Sequence, residues 1–187
     1  MKKFMLMAVM ALFSVGAFAQ YNGGEITVQP KIGLNVTNIS DGDGDWKAGL
    51  AVGAELEYHA TPMVGISAGL IYSMQGAKAT EEGVDVKVNV DYINVPILAN
   101  IYVAPGFALK TGLQPAFKVS SEVKAEGHAV DLDEIKSVDF SIPVGMSYEY
   151  QNICFDARYN IGLTKLLDGS DSKNQVFQIT VGYKFHL

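Results

Sequence analysis

The sequence predicts an all-β chain, an eight-stranded antiparallel up-and-down transmembrane β-barrel. Three observations predict it. Apolar and polar residues alternate with period two through eight segments, the connections between those segments alternate short and long, and the polar face is crowded with Gly, Ala and Ser. Period-two alternation sets one face of a strand in an apolar medium and the other outside it, and it is incompatible with the 3.6-residue period of a helix.

The segments follow in order. The first puts Val28, Pro30, Ile32, Leu34 and Val36 on one face against Gln29, Lys31, Gly33 and Asn35. The second sets Trp46, Ala48, Leu50, Val52, Ala54, Leu56 and Tyr58 against Lys47, Gly49, Ala51, Gly53, Glu55 and Glu57. The third carries Val64, Ile66, Ala68, Leu70, Tyr72 and Met74 on its apolar face; the fifth carries Phe107, Leu109, Thr111, Leu113, Pro115 and Phe117. The sixth runs through alternate residues from Phe140 to Tyr150, the seventh from Ile153 to Leu163. The eighth directs Phe177, Ile179, Val181, Tyr183, Phe185 and Leu187 outward and Thr180, Gly182 and Lys184 inward, and is expected to pair with the first segment, Thr27 to Thr37.

The fourth segment breaks phase. Val86, Val88 and Val90 lie in one phase and Ile93, Val95, Ile97, Ala99, Ile101 and Val103 in the other, which a one-residue β-bulge near Asp91-Tyr92 would reconcile; alternatively the first part lies above the membrane. Pro96 lacks a backbone N–H, so a local irregularity is expected there.

Lys2 and Lys3 precede an apolar run from Phe4 to Phe13, and Ala17-Phe18-Ala19 offers small residues for cleavage. Residues 1–19 read as a secretory signal peptide, leaving 20–187 as one barrel domain beginning at Gln20. Loss of Lys2 and Lys3 leaves twelve basic residues against twenty acidic ones, a net charge near −8 that excludes nucleic acid as a partner. Cys154 is the single cysteine, so no intramolecular disulfide forms. After the leader no run of 18 apolar residues exists, which excludes a spanning helix.

Short connections (Ala60-Thr61-Pro62, Ala104-Pro105-Gly106, Gln151-Asn152) follow the second, fourth and sixth segments; long polar ones follow the others. Membrane barrels have short periplasmic turns and long extracellular loops, so both termini are expected in the periplasm and the chain in a bacterial outer membrane. An exported lipocalin would alternate equally well, with its apolar face inside. The polar face argues against that, because Gly33, Gly49, Gly53, Gly65, Ser67, Gly69, Ser73, Ala108, Gly112, Gly145, Ser147 and Gly162 suit a narrow interior better than a wet surface. Tyr58, Phe107, Tyr148, Tyr150, Phe155, Tyr183 and Phe185 gather toward the end with the termini, joined less well by the inward-phase Tyr102. Trp46, Phe117, Phe140 and Phe177 gather at the other, as two interfacial girdles.

The stretches Asp91-Tyr92-Ile93-Asn94-Val95-Pro96-Ile97-Leu98, Gly106-Phe107-Ala108-Leu109-Lys110-Thr111-Gly112 and Phe155-Asp156-Ala157-Arg158-Tyr159-Asn160-Ile161-Gly162-Leu163 resemble the PorT-like outer-membrane β-barrel domain family, among small barrels of the OmpA and OmpX type. The spacing of Thr180, Gly182, Phe185 and Leu187 also resembles the C-terminal signal by which such barrels are recognised for insertion. The resemblance implies outer-membrane lipid and lipopolysaccharide as surroundings and the barrel-assembly machinery as a partner during insertion. It carries over no catalytic residue, cofactor or metal.

Inward charges form the main candidate site: Glu55, Glu57, Lys110, Glu149, Asp156, Arg158 and Lys184. Unpaired charge is costly in a dry interior, so these are expected to pair around the planar fork of Arg158 and plug the barrel. A gated pore or proton path is the alternative reading. Catalysis is not expected, since His59 and His186 fall in the inward phase at the terminal end, His128 lies in a long loop, and none meets a Ser and an acid at the outer leaflet. Asp41-Gly42-Asp43-Gly44-Asp45 resembles the start of a calcium loop but lacks the later Gly and bidentate Glu, so a solvated loop is expected. The long loops carry thirteen acidic residues, a negative field suited to a cationic partner or bridging divalent ions, with Ala129 to Ile135 the candidate contact stretch for an extracellular protein or ligand. The expected role is structural or interaction-based, for a monomer; porin-like passage of small solutes and an accessory part in secretion are the alternatives.

Overall fold

A computed structural model describes residues 21–39, 46–81, 84–125, 128–131, 137–164 and 174–187; the leader and the Asp/Gly loop lie outside them. The alternating segments become β1 (Ile26–Ile39), β2 (Lys47–Thr61), β3 (Val64–Glu81), β4 (Val84–Asn94), β5 (Ile97–Ala104), β6 (Phe107–Ala125), β7 (His128–Asp131), β8 (Val138–Tyr150), β9 (Ile153–Gly162), β10 (Asn174–Tyr183) and β11 (Phe185–His186). They make eight staves, because β4 continues into β5, β10 continues into β11, and β7 pairs with the part of β6 beyond its ladder with β8. Every pairing is antiparallel. β10 and β11 return to β1, with Leu34 opposite Ile179 and Val28 opposite Phe185, so the sheet closes on itself.

Prolines account for both breaks within staves. Pro96 has no N–H to give, and the chain passes it with Val95 N donating to Pro115 O at 2.8 Å and Pro96 O accepting from Gly69 N at 3.0 Å. The residue between β10 and β11 is Lys184, which in the β1 register stands opposite Gln29, next to Pro30; on its other side Lys184 N donates to Asn152 O at 2.8 Å and prolongs the ladder with β9.

The bulge expected near Asp91-Tyr92 is at that level but on the neighbouring strand. Asp91 pairs with Ser120 and Tyr92 with Lys118, so Val119 of β6 is the extra residue, while the β3–β4 ladder runs through unbroken. The fourth stave therefore keeps one phase. Val90 is buried with Tyr92 and Ala116 inside the barrel and does not share the outward face of Ile93, which corrects the expectation that a slip would bring the two together.

Burial is inverted relative to a water-soluble protein. Ile32 is 54 % and Leu70 62 % exposed, whereas Arg158 is 1 % and Lys184 2 % exposed. A lipocalin would bury the aliphatic set, so the exposed apolar band requires an apolar solvent around the barrel. The small interior residues answer to backbone crowding. A Cβ on Gly33 would stand 1.9 Å from Ile179 O and one on Gly53 2.1 Å from Leu70 O, both on neighbouring staves.

Candidate functional site: the charged interior

Alternation brings Lys31 of β1, Glu55 of β2, Lys110 of β6 and the pair Asp156 and Arg158 of β9 to one level inside the barrel. Arg158 holds both carboxylates. Its Nη1 and Nη2 reach Glu55 Oε1 and Oε2 at 2.6 and 2.8 Å, and its Nε and Nη2 reach Asp156 Oδ1 and Oδ2 at 2.6 and 2.8 Å. Lys110 Nζ lies 2.8 Å from Asp156 Oδ2, and Lys31 Nζ lies 2.9 Å from Glu55 Oε2 and 3.6 Å from Asp156 Oδ2. Gly69 provides the space for Glu55, since a Cβ there would stand 2.5 Å from the Glu55 Cγ. Three cations against two carboxylates leave this layer with one excess positive charge.

Toward the end carrying the termini, Lys184 centres a second layer. Its ammonium lies 3.0 Å from both Glu57 Oε2 and Glu149 Oε2 and donates to the hydroxyls of Tyr102 at 2.9 Å and Tyr21 at 3.0 Å. Tyr102 donates to Glu57 Oε1 at 2.8 Å, Tyr21 donates to Glu149, and Asn100 bridges Glu57 and Ser67 at 2.7 and 3.1 Å. Two carboxylates against one ammonium give this layer one excess negative charge, which offsets the excess of the first. His59 is buried beside it, its ring stacked on Tyr21 at 3.7 Å and its Nε2 4.0 Å from Glu57.

Tyr21 comes from outside the barrel wall. Gly24 N donates to His59 O at 2.7 Å and His59 N to Glu25 O at 2.8 Å, a turn with Gly24 at φ 92° that folds the segment before β1 back under the mouth. Removing the hydroxyl by Tyr21→Phe is expected to destabilise the barrel by about 1–3 kcal/mol, because Lys184 and Glu149 each lose a buried partner. Urea unfolding in detergent micelles measures it. At the rim, the His186 imidazole hydrogen-bonds Glu25 and holds its carboxyl below the usual 4.5.

A model of the outer membrane protein beta-barrel domain matches residues 18–168. The chain belongs to that family. Among solved structures, Ail, the attachment invasion locus protein of Yersinia pestis, was determined in complex with the heparin analogue sucrose octasulfate. It is similar with a TM-score of 0.54 and 14 % identity, covering 87 % of this chain and 99 % of that one. Neisserial surface protein A is similar with a TM-score of 0.53 and 14 % identity, covering 86 % and 97 %. These likenesses show the fold. No curated protein matches the chain. As a member of the outer membrane beta-barrel family, the protein is placed in the bacterial outer membrane.

Within this family member, Glu55, Glu57, Lys110, Glu149, Asp156, Arg158 and Lys184 all lie inside and fall into the two layers described. Trp46, Tyr58, Tyr148, Tyr150, Phe155, Tyr183 and Phe185 are exposed on the outer face, and Phe107 is half-buried there. Tyr102 is not a girdle residue, because its hydroxyl is spent on Glu57 inside. His186 does not face inward; it is exposed at the rim, where the last strand ends, and only His59 of that pair is enclosed. Of the C-terminal signal residues, Thr180 is buried inside, Gly182 abuts Gln29 and Pro30 of β1, and Phe185 and Leu187 point out. The stretch 132–135 lies outside the described residues. Lys31 was legible, since it stands in the same inward phase as Gln29. Tyr21 was not, because it precedes the first alternating segment and carries no periodicity.

Proposed function

We propose that this outer-membrane barrel is a closed anchor, non-catalytic and non-conducting, that presents its long connections to the outside as a contact surface. The observation that carries this reading is the ion-paired layer of Lys31, Glu55, Lys110, Asp156 and Arg158, all fully buried and contributed by β1, β2, β6 and β9. An interior of about eight strands is only wide enough for side chains, and here those side chains are ion-paired, the one excess positive charge of this layer being offset by the Lys184 layer. In this reading residues 1–19 are a cleaved leader, both termini face the periplasm, and the protein is a monomer. In this reading its motifs group it with the PorT-like barrels of the wider family.

The contact surface is acidic. Nine Asp and Glu residues lie in the connections at that end, and Glu81, Asp85, Glu122 and Asp131, expected there too, stand on the adjoining stretches of β3, β4, β6 and β7, so the partner class is cationic protein or polymer. Ail has been determined with a polyanion, and the charge here favours the opposite sign. Vesicles carrying the folded protein are expected to bind polylysine with an affinity that falls steeply with salt, and to ignore heparin. Equal binding by protein-free vesicles, or preference for heparin, overturns the contact-surface reading.

A further inference from the structure

Toward the end away from the termini the interior holds a polar group of different character. Asn94 of β4, Ala116 of β6 and Asp139 of β8 form one row across three neighbouring staves, since Asn94 pairs with Ala116 and Ala116 with Asp139. Gln75, Gln114, Ser141 and Asn160 complete the lining of a small cavity against that row, with room for about one water-sized guest.

The polar atoms of this cavity do not satisfy one another. Asn94 is 0 %, Asn160 2 % and Asp139 6 % exposed, yet neither amide atom of Asn94 or of Asn160 has a hydrogen-bond partner, nor does Gln114 Oε1. The hydroxyl of Tyr92, two residues before Asn94 in the same inward phase, is equally unpartnered. Among the described residues every other buried carboxylate sits against a cation: Glu55 and Asp156 against Arg158, Glu57 and Glu149 against Lys184. Asp139 accepts from the Thr164 hydroxyl, whose oxygen in turn accepts from the Phe140 N–H at 3.0 Å, and among the described residues no cation pairs with Asp139. Lys47, also buried toward this end, gives its ammonium to Gln75 O at 2.8 Å.

We propose that this cavity is a binding site for one dehydrated monovalent alkali cation, Na⁺ or K⁺. A buried carboxylate without a counter-charge is costly, and an ion of water size removes that cost while drawing in the orphaned oxygens. Asn94, Asn160 and Gln114 each present a neutral amide oxygen, Ser141 presents a hydroxyl, and Asp139 supplies a single negative charge. One carboxylate among neutral oxygens suits a single positive charge, whereas tight divalent sites gather several carboxylates. The site lies beside the outward Phe117 and Phe140, at the level of the far aromatic girdle, so an ion enters from that mouth without crossing the charged layers.

The test uses the full folded chain in detergent micelles, unfolded by urea in NaCl, KCl and choline chloride at matched ionic strength. The midpoint is expected to lie at higher urea in NaCl or KCl than in choline chloride, and this difference is expected to vanish in Asp139→Asn. Crystals soaked in thallium(I), a dense stand-in for K⁺, are expected to show an anomalous peak beside Asp139. Equal midpoints in the three salts, or a cavity holding water only after the soak, overturns the site. A cation-dependent midpoint retained by Asp139→Asn overturns it as well. Should Asp139→Asn fail to fold, Asn160→Ala, which removes one orphaned amide, is read in the same way.

Discussion

Arg158→Met is expected to cost the folded barrel about 3–5 kcal/mol, the range for breaking a buried ion pair by removing one partner. The loss is geometric more than electrostatic. After the substitution Lys31 and Lys110 still face Glu55 and Asp156, two charges against two, but the contacts of 2.6–2.8 Å through which one guanidinium holds both carboxylates are gone. Lysine does not restore them, because an ammonium cannot fork to two carboxylates at once. Lys31→Met is expected to cost less, about 1.5–3 kcal/mol for a charged hydrogen bond, since it leaves the fork intact. Urea unfolding of the three variants in lipid vesicles ranks them. A Lys31 variant as damaged as the Arg158 variant would show that net charge in the layer matters more than the fork.

Gly33→Val is expected to prevent the barrel from closing. The added Cβ would meet Ile179 O at 1.9 Å and Thr180 Cα at 2.6 Å, backbone atoms of the strand that completes the circle, where no flexible side chain can yield. The expected result is loss of the compact, heat-modifiable band that a folded barrel gives on an unheated gel. Gly23→Ala is the control, because its Cβ finds nothing nearer than Ala60 O at 3.4 Å. A Gly33→Val chain that keeps the folded band would mean the seam between β1 and β10 is looser than these distances describe.

Much of this architecture was legible because a barrel writes its geometry into period two. Once the phase of a strand is known, the side of every residue on it follows, which is how Glu55, Asp156, Arg158 and Lys184 were placed inside from sequence. Phase fails where pairing is not regular. Val90 was misplaced because the extra residue that shifts the β4–β6 register sits on β6 at Val119, and a bulge leaves no mark on the strand it faces. His186 was misplaced because the wall ends there and alternation no longer encloses a side chain. The partners of Lys184 were half hidden. Glu57 and Glu149 could be read from phase; Tyr21 reaches it through a turn at Gly24 that no periodicity announces. The cavity beside Asp139 was invisible for a further reason: Asn94, Gln114, Asp139 and Asn160 come from four strands, and only their register brings them together.

Planar-bilayer recording of the folded, full-length barrel tests the closed interior most directly. A barrel crossed by the Arg158 and Lys184 layers predicts a flat baseline at moderate voltage, with no sustained ion-sized openings. Steady unitary conductance that persists in correctly folded protein would contradict it and make the charged interior a pathway.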